Sequence, residues 1–304
     1  MADTTTDFGL SLFEAARKMG VTIASEHEPE DKYIDVKGMK IHYLDWGNEG
    51  AQPMLLLHGG SQQCHMWDFV GLAFHKDYHV IAMDQRGHGD SGWTEDGTYN
   101  TQGHLQDIEG LVEQLGLKNI VLSGLSMGGI NSMAYTGAHP DNVERLIIVD
   151  AAPEVKTFWS ERVNRFRAPL GDIIGSYEDL VLHVHKFNPL RPIQQLRGSL
   201  RYSVKQVPDG SWTWRQDTRF HGQQRERTPN SQAAFLWASV SRVKCKTLLV
   251  MAEESVVDEN VAEKLIGVLP VGSRRITIPK TSHLVVGDNP AGFEKTAREF
   301  LFQE

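Results

Sequence analysis

The sequence of 304 residues predicts an α/β protein with a mostly parallel central sheet flanked by helices, and with an inserted helical cap. From about Tyr33, short apolar runs alternate with longer amphipathic ones, which is typical of parallel strands joined by right-handed helical crossovers. This alternation stops between Pro153 and about Arg242 and then resumes. A G-x-S-x-G motif centred on Ser126 lies between a predicted buried strand and a predicted helix.

Composition and charge exclude several classes of protein. Hydrophobic residues make up 40% of the chain and charged residues 23%, as in folded globular proteins. The net charge of −8, without a long cluster of Lys and Arg, argues against nucleic acid as a partner. An acidic N-terminal segment and the lack of a run of about 20 apolar residues argue against a secretory signal and a membrane helix. We therefore expect a cytoplasmic protein that does not bind membranes.

Metal and cofactor sites are not expected. The two cysteines, Cys64 and Cys245, do not form a C-x-x-C motif and are expected to be reduced thiols. The 13 histidines show no H-E-x-x-H or comparable spacing of metal ligands. The expected partner is a small-molecule acyl substrate.

Residues 1–30 are predicted to form an N-terminal helical extension. Apolar residues are spaced there as in a short amphipathic helix: Phe8, Leu10, Leu12, Phe13, Ala16 and Met19. The interpretation we favour is a surface helix without a function. The alternatives are docking on the body of the protein or on a second copy of the chain in a homodimer.

Residues 31–152 and 243–304 are predicted to form the core. Continuous apolar runs indicate strands buried on both faces, and Gly116 and Pro140 mark the ends of helices. The predicted strands are Asp31–Val36, Met39–Leu44, Pro53–His58, His79–Asp84, Asn119–Ser123, Val143–Val149, Lys246–Met251 and Arg274–Ile278. The predicted helices are Thr101–Leu115, Gly128–His139, Glu259–Val268 and Pro290–Phe302.

Residues 153–242 are predicted to form the helical cap, because they lack strand-like apolar runs. Most of the aromatic residues in this segment are expected to pack within it, and a minority to face the substrate: Phe158, Trp159, Tyr177, Phe187, Trp212, Trp214 and Trp237. Most of its arginines are expected at the surface, and some are candidates for binding a substrate carboxylate: Arg162, Arg165, Arg167, Arg191 and Arg201.

Ser126 is the predicted nucleophile. In Gly124-Leu-Ser-Met-Gly128, the glycines allow a turn sharp enough to expose the Ser126 hydroxyl at the start of a helix. A serine hydroxyl is a poor nucleophile at neutral pH and needs an adjacent base. The alternative is a Gly-Ser turn that only leads into a helix.

The segment His58-Gly-Gly-Ser61 follows an earlier buried strand and is predicted to supply part of an oxyanion hole. The predicted donors are the backbone N–H groups of Gly60 and Met127, with Ser61 as the alternative to Gly60. For His58 itself we favour a structural role, in which the ring braces these loops by hydrogen bonds.

His283 is the predicted general base. It lies in a loop after the last predicted strand, close to the C-terminal edge of the sheet. His88, His183 and His185 compete for this role, but His283 alone completes the chain order nucleophile, acid, histidine.

The motifs taken together resemble the α/β-hydrolase superfamily over about Tyr33 to the C-terminus. They are HGGS, DQRGHGDS, GLSMGG, IIVDAAPE and the late SHL. The resemblance implies the fold and a branch similar to esterases, lactonases and 2-(acetamidomethylene)succinate hydrolases. It does not choose among esters, lactones, amides and C–C bonds. The segment Asp84–Ser91 is interpreted as a hydrogen-bonded loop that positions the neighbouring motifs.

The sequence departs from the family pattern at the acid. Relatives usually carry it after the strand that follows the cap, often as G-x-x-S-D, and here the corresponding position falls at Ser255. Glu254 and Asp258 are close enough to substitute, although Asp258 is also a candidate N-cap of the next helix.

Asp150 is the acid we favour. It ends the strand after the nucleophile helix, 24 residues beyond Ser126 (150 − 126). Some relatives that resemble the 2-(acetamidomethylene)succinate and zearalenone hydrolases place their acid at this strand end. From there a carboxylate can reach His283, fix its tautomer and stabilise the imidazolium. Many relatives also have an Asp here that is not catalytic.

The predicted activity is hydrolysis of a carboxylic ester or lactone of a small organic molecule through an acyl-enzyme, without a cofactor. Serine at this turn, instead of aspartate, argues against dehalogenase and epoxide-hydrolase chemistry. The alternatives are a C–C bond or amide hydrolase acting on a small carboxylate-bearing substrate, and a slow-turnover ligand receptor of the same fold.

Overall fold

The computed structural model describes residues 6–156, 171–220 and 230–302. Its strands are β1 (Glu30–Val36), β2 (Met39–Asp45), β3 (Pro53–Leu57), β4 (His79–Met83), β5 (Ile120–Leu125), β6 (Val143–Val149), β7 (Ile173–Ile174), β8 (Val204–Gln206), β9 (Trp212–Trp214), β10 (Lys246–Ala252) and β11 (Arg274–Ile278). Its α-helices are α1 (Leu12–Lys18), α2 (Asp68–Phe74), α3 (Thr101–Gln114), α4 (Met127–Ala138), α5 (Tyr177–Phe187), α6 (Ile193–Leu200), α7 (Ala233–Val240), α8 (Glu259–Val268), α9 (Val285–Asp288) and α10 (Pro290–Phe302).

Eight strands form the central sheet in the order β1-β2-β4-β3-β5-β6-β10-β11. Strand β2 is antiparallel to both of its neighbours. The strands β4, β3, β5, β6, β10 and β11, which follow it across the sheet, are parallel to one another. The predicted fold class is therefore confirmed. Because parallel strands end at the same edge, the loops after β3, β5, β6, β10 and β11 lie close together, and ligands of open α/β sheets bind at this edge.

The core lies on both faces of this sheet. In β3, Leu55 and Leu57 pack on one face with α3, α4 and α8, whereas Leu56 packs on the other face with α2 and α10. Successive residues of a strand point to opposite faces, so a strand covered on both sides must be apolar throughout. This explains the continuous apolar runs. The bounds of β6, α8, β11 and α10 agree with the prediction, and the other predicted core elements shift by at most two residues at either end.

The cap prediction needs two corrections. Besides α5 and α6, the described part of the insertion holds a three-stranded antiparallel sheet in the order β7-β9-β8. These strands are two or three residues long, too short to show alternating polarity in the sequence. Helix α7, predicted within the cap, instead packs on α4. A Cβ atom on Gly137 would lie 2.5 Å from the backbone oxygen of Ser239, so the two helices touch through their backbones.

The N-terminal segment docks on the body and on the cap, as one of the alternatives anticipated. Helix α1 begins with a capping box formed by Ser11 and Glu14, and Ala15 is buried against the side of the sheet that carries α2. The Phe8 ring meets the Tyr177 ring of α5 edge-on at 5.1 Å between centroids. The segment therefore packs on the rest of the chain, and the favoured interpretation that it has no function stays a prediction. The homodimer remains a prediction.

The cap aromatics can be compared with the prediction where they are described. Tyr177 and Trp212 pack within the cap, as expected for most of them, and Trp214 lines a cavity. Phe158 and Trp159 lie outside the described residues, as do Arg162, Arg165 and Arg167. Within the described ranges, no helix is both long enough and apolar enough to cross a membrane.

Candidate active site

Ser126 sits at a sharp turn between β5 and α4. Its backbone has φ 54° and ψ −114°, an uncommon conformation for a residue with a side chain. A Cβ on Gly124 would lie 2.2 Å from the Gly128 oxygen, and one on Gly128 would lie 2.1 Å from the Leu57 oxygen. Only glycines allow strand and helix to approach so closely. The turn holds the half-buried Ser126 at the carboxyl edge of the sheet.

The loop after β3 passes beside this turn. A Cβ on Gly59 would lie 3.4 Å from the Ser126 Cβ. The Gly59 amide donates a hydrogen bond to the Gln62 side chain over 3.2 Å, which leaves the role of oxyanion donor to the residues that follow. Gly60 is the next residue along, and Met127 supplies the first amide of α4, for which an α-helix offers no acceptor. The predicted donor pair fits this arrangement and stays a prediction.

His283 and Asp150 meet at the same edge. His283 Nδ1 donates to Asp150 Oδ2 over 2.7 Å, and the Asp150 carboxyl group is fully buried. The Asp150 amide donates to the Val250 oxygen over 2.7 Å, which ties the end of β6 to β10 and aims the side chain at the loop after β11. A hydrogen bond from Nδ1 fixes the tautomer in which Nε2 is the basic nitrogen.

Three further donors hold the Asp150 carboxylate. They are the Ser255 hydroxyl at 2.5 Å and the amides of Ala252 at 3.2 Å and Val256 at 3.3 Å. Ser255 is the residue at which relatives would carry the acid, and here it donates to the acid of the neighbouring strand. With the bond from His283, the carboxylate accepts four hydrogen bonds, which satisfies its acceptor capacity and stabilises its charge.

The alternative acids lie elsewhere. The Asp258 side chain accepts a hydrogen bond from the Asn260 amide over 3.0 Å and caps α8, as the sequence also suggested. Glu254 is exposed. The contact between Asp150 and His283 is the geometry expected if Asp150 is the acid.

His58 braces the loops, as predicted. Its Nδ1 donates to the Gly59 oxygen over 2.8 Å, and its Nε2 accepts from the Gln85 amide over 2.9 Å. The Gln85 side chain donates to the His58 oxygen and accepts from Asn131 of α4, each over 2.6 Å. Burial lowers the pKa of His58 and keeps the ring neutral. These bonds connect the loop after β3 to the helix that carries Ser126.

The other histidines considered as bases have different surroundings. His88 is fully buried, and its ring contacts the Arg86 oxygen and the Gln216 side chain. Burial lowers the pKa of His88 well below its ordinary value. His183 and His185 lie on α5 of the cap.

Asp84 organises the loop Asp84–Ser91, whose structural role is confirmed. Its carboxylate accepts hydrogen bonds from the amides of Cys64 at 2.7 Å and Asp90 at 3.0 Å, and from His42 Nδ1 at 2.7 Å. Burial by itself would raise the pKa of Asp84, but the bond from His42 and the neighbouring charges and amides lower it to about 2. The carboxylate is therefore ionised at neutral pH and ties the loop together.

One cluster in the described part of the chain has the spacing of metal ligands. It consists of His42, Cys64 and Asp84, whose ligand atoms lie within 4.8 Å of one another. Both ring nitrogens of His42 contact carboxylates, one of Asp84 and one of Asp31. Burial raises the pKa of the Cys64 thiol well above its ordinary value, so the thiolate that a metal prefers is disfavoured. The donor set suits a hydrogen-bonded cluster better than a metal.

Asp288 positions the loop that carries His283, and the sequence analysis did not identify it. Its carboxylate accepts from the Ser282 amide at 2.8 Å, the Ser282 hydroxyl at 2.7 Å and the Asn188 side chain at 2.8 Å. Ser282 precedes His283 directly. Asn188 belongs to the cap and is 100 residues distant in the chain, so no local sequence signal could have revealed the contact.

A cavity of about 460 Å³ lies between the core, the cap and the N-terminal segment, and residues that are neighbours in the chain of the proposed catalytic groups form part of its wall. Its wall includes Ser61, next to Gly60, and Leu284, next to His283. Leu10 of the N-terminal segment and Leu196 of α6 contribute to its apolar surface. The cavity is large enough for a small organic molecule with one end near the reaction centre.

Comparisons with known proteins identify a family model and relatives that this chain matches. Residues 52–174 match the family model described as alpha/beta hydrolase fold. The esterase Rv0045c of Mycobacterium tuberculosis is 27% identical to this chain over 95% of the chain and 94% of its own length. These matches support the α/β-hydrolase superfamily, whose fold the chain has. It is a hydrolase enzyme.

Solved structures share the fold of this hydrolase. The E-2-(acetamidomethylene)succinate hydrolase superposes with a TM-score of 0.79 at 20% identity, over 90% of this chain and 99% of its own. The crystal structure of the M. tuberculosis esterase superposes with a TM-score of 0.74 at 23% identity, over the whole of both chains. The second match includes the N-terminal segment, so the extension is part of the shared architecture.

Proposed function

We propose that this hydrolase cleaves a carboxylic ester or lactone of a small organic molecule, with Ser126 as nucleophile, His283 as general base and Asp150 as the acid that orients it. The observation that carries the proposal is the 2.7 Å hydrogen bond from His283 to buried Asp150, at the sheet edge where Ser126 is held in a strained turn. The esterase name of the M. tuberculosis relative supports the ester class.

In the proposed mechanism, His283 Nε2 takes the hydroxyl proton of Ser126 as the oxygen attacks the carbonyl carbon. The amides of Gly60 and Met127 stabilise the oxyanion, and each such donor is typically worth about 100- to 1,000-fold in rate. The intermediate collapses as His283 returns the proton to the leaving alcohol. Water then attacks the acyl-enzyme with the same histidine as base, and the acid is released.

Asp150 acts through the histidine. Its carboxylate stabilises the imidazolium that forms in each half-reaction and keeps Nε2 as the basic nitrogen. The acceptor capacity of the carboxylate is already satisfied, so it needs little reorganisation when the imidazole becomes charged.

A second candidate is hydrolysis of an amide or C–C bond in a carboxylate-bearing substrate. Two arginines in the cavity wall, Arg191 and Arg201, favour a substrate that carries an anion. The same nucleophile and base serve both candidates, so the bond that is cleaved distinguishes them.

The first test is the release of 4-nitrophenol from 4-nitrophenyl acetate and butyrate. We expect Ser126→Ala to lower kcat by about 10⁴-fold or more, since removal of a nucleophile leaves only the contributions of binding and the oxyanion hole. Ser241→Ala changes an exposed serine after α7 and serves as the matched control. Both variants should retain the unfolding temperature of the wild type.

Undiminished hydrolysis by Ser126→Ala would contradict the mechanism. If the wild type hydrolyses neither ester nor a panel of γ- and δ-lactones, the ester class is wrong. Mass spectrometry of products from small amides and β-diketones then decides between the second candidate and a receptor without turnover.

A further inference from the structure

Arg191 precedes α6 and lines the cavity beside the reaction centre. Its Nε donates to the Gln195 side chain over 3.0 Å, and its Nη2 donates to the Ser199 hydroxyl over 2.9 Å. Both acceptors are neutral. The guanidinium is therefore held in a fixed orientation while its charge is not balanced by these partners, and three of its five N–H donors stay outside these two bonds.

Arg191 forms no ion pair in the described part of the chain. No carboxylate oxygen there lies within 4.0 Å of a guanidinium nitrogen of Arg191. The negative charge of Asp288 acts on Arg191 and raises the pKa of its guanidinium, but the Asp288 carboxylate accepts its hydrogen bonds from Ser282 and Asn188 and forms no ion pair with Arg191. Burial lowers the pKa of the Arg191 guanidinium below its ordinary value. A partly buried cation without a direct ion pair is less stabilised than one in contact with an anion, and an anionic ligand would supply that contact.

The position of Arg191 relates it to the reaction centre. A Cβ on Gly287 would lie 3.1 Å from Arg191 Cζ, so the guanidinium rests against the backbone of α9. Helix α9 begins two residues after His283. The cation and the proposed base are thus supported by the same segment of chain.

Arg201 adds a second positive charge at the other end of α6. Its Nε is buried without a hydrogen-bond partner, and its guanidinium lies 4.5 Å from the centre of the Tyr202 ring. Negative charge in the wall is limited, because Asp68 pairs with His65 at 3.0 Å and Asp172 is exposed. Two arginines and two aspartates thus line the cavity, and the two arginines belong to the cap segment around α6.

The rest of the described wall is largely apolar. It includes Leu10, Met66, Phe69, Leu196 and Leu284. A ligand that matches this cavity has an apolar chain, one end at the reaction centre and an anion at the other. The planar fork of a guanidinium binds a carboxylate through two parallel hydrogen bonds.

We propose that Arg191, with Arg201 in support, binds a carboxylate carried by the substrate, and that the natural substrates are monoesters of small dicarboxylic acids. The inference rests on the proposed ester hydrolysis for the reaction and adds the class of substrate. In this role Arg191 determines specificity, because it discriminates a charged from a neutral acyl chain without taking part in the proton transfers.

The test compares the hydrolysis of two substrates that differ only in charge. A pH-stat measures the rate at which each reaction releases acid. Monoethyl adipate carries a carboxylate, and ethyl adipamate carries a neutral amide of the same shape. For Arg191→Gln we expect kcat/KM for monoethyl adipate to fall by about 10- to 100-fold, the range for a hydrogen-bonded charge pair. Hydrolysis of ethyl adipamate should change by less than about twofold.

Three variants sharpen the test. Arg191→Lys keeps the charge and should recover part of the loss, because the ammonium lacks the planar fork. Arg201→Gln should cause a smaller selective loss. Arg145→Gln is the matched control, since Arg145 lies on β6 at the opposite edge of the sheet from the active site and should leave both substrates unaffected.

Equal losses for both substrates in Arg191→Gln would reveal a structural role and overturn the inference, as would unchanged kinetics for both. If both esters are hydrolysed in a Ser126-dependent way and Arg191→Gln causes no selective fall in kcat/KM for monoethyl adipate, the proposed function stands while the inference fails. If no ester is hydrolysed, calorimetric titration with adipate tests the inference separately: binding to the wild type and its loss in Arg191→Gln support it, and equal binding overturns it.

Discussion

The reaction centre and the cavity beside it differ in how fully their polar groups are hydrogen-bonded. At the centre, the Asp150 carboxylate accepts four hydrogen bonds, one of them from His283. In the cavity wall, three buried polar atoms in the described part of the chain have no partner: Ser61 Oγ, Arg201 Nε and Gln216 Oε1. Most buried polar groups in proteins are satisfied, so these three atoms are candidates for contacts with a bound ligand.

This difference separates chemistry from recognition. A group that orients a base works best when its surroundings are fixed before the substrate arrives. A group that recognises a substrate must keep hydrogen-bonding capacity that the substrate can use, at some cost to the free protein. Under the proposed function, the core supplies the first kind of site, and the cap and loops supply the second.

The largest expected effect comes from Asp150→Asn. An amide in place of the carboxylate favours the wrong histidine tautomer and does not stabilise the imidazolium, so we expect kcat to fall by about 10⁴-fold with 4-nitrophenyl butyrate. Asp258→Asn is the control, because Asp258 caps α8 and should leave kcat within about twofold of the wild type. A larger loss in Asp258→Asn than in Asp150→Asn would reverse the assignment of the acid.

A substitution of Asp84 tests whether the hydrogen bonds to buried carboxylates in the core also contribute to stability. The pKa of Asp84 in the folded protein is about 2, below its ordinary value of 3.8, so the folded state favours the carboxylate. Its contribution to the free energy of unfolding is present above about pH 4 and is lost as the pH falls through 2. Urea denaturation should therefore show the difference between wild type and Asp84→Asn shrinking from pH 5 to pH 2. A difference that stays constant over this range would show that the carboxylate is not stabilised as described.

The smallest expected effect is that of Ser255→Ala, which removes one of the four donors to Asp150. We expect the free energy of unfolding to fall by about 1–3 kcal/mol, the cost of leaving a buried acceptor with one partner fewer. Because three donors stay in place, kcat should fall by less than about tenfold. Urea denaturation and the nitrophenyl ester assay measure the two quantities. A kcat as low as that of Asp150→Asn would show that the orientation of the base depends on the single bond from Ser255.

The sequence by itself determined the sheet, its flanking helices and the location of Ser126. Continuous apolar runs indicate strands that are buried on both faces. A G-x-S-x-G motif between a strand and a helix indicates a turn that only glycines permit. These signals are local, since each depends on residues close together in the chain. The chain order nucleophile, acid, histidine favoured His283 over the other histidines, and the position of Asp150 at a strand end favoured it over Glu254 and Asp258.

Tertiary structure decided which side chains meet. Three contacts at the site join residues about 100 or more positions apart in the chain. Asp150 contacts His283, Ser255 donates to the same carboxylate, and Asp288 connects the loop that carries His283 to Asn188. The small sheet of the cap was missed because its strands pair without a polarity pattern. Arg191 was one of several arginines in the sequence. The role proposed for it depends on its partial burial and on the lack of an ion pair in the described chain. Both are properties of three-dimensional packing, which residue type and spacing do not encode.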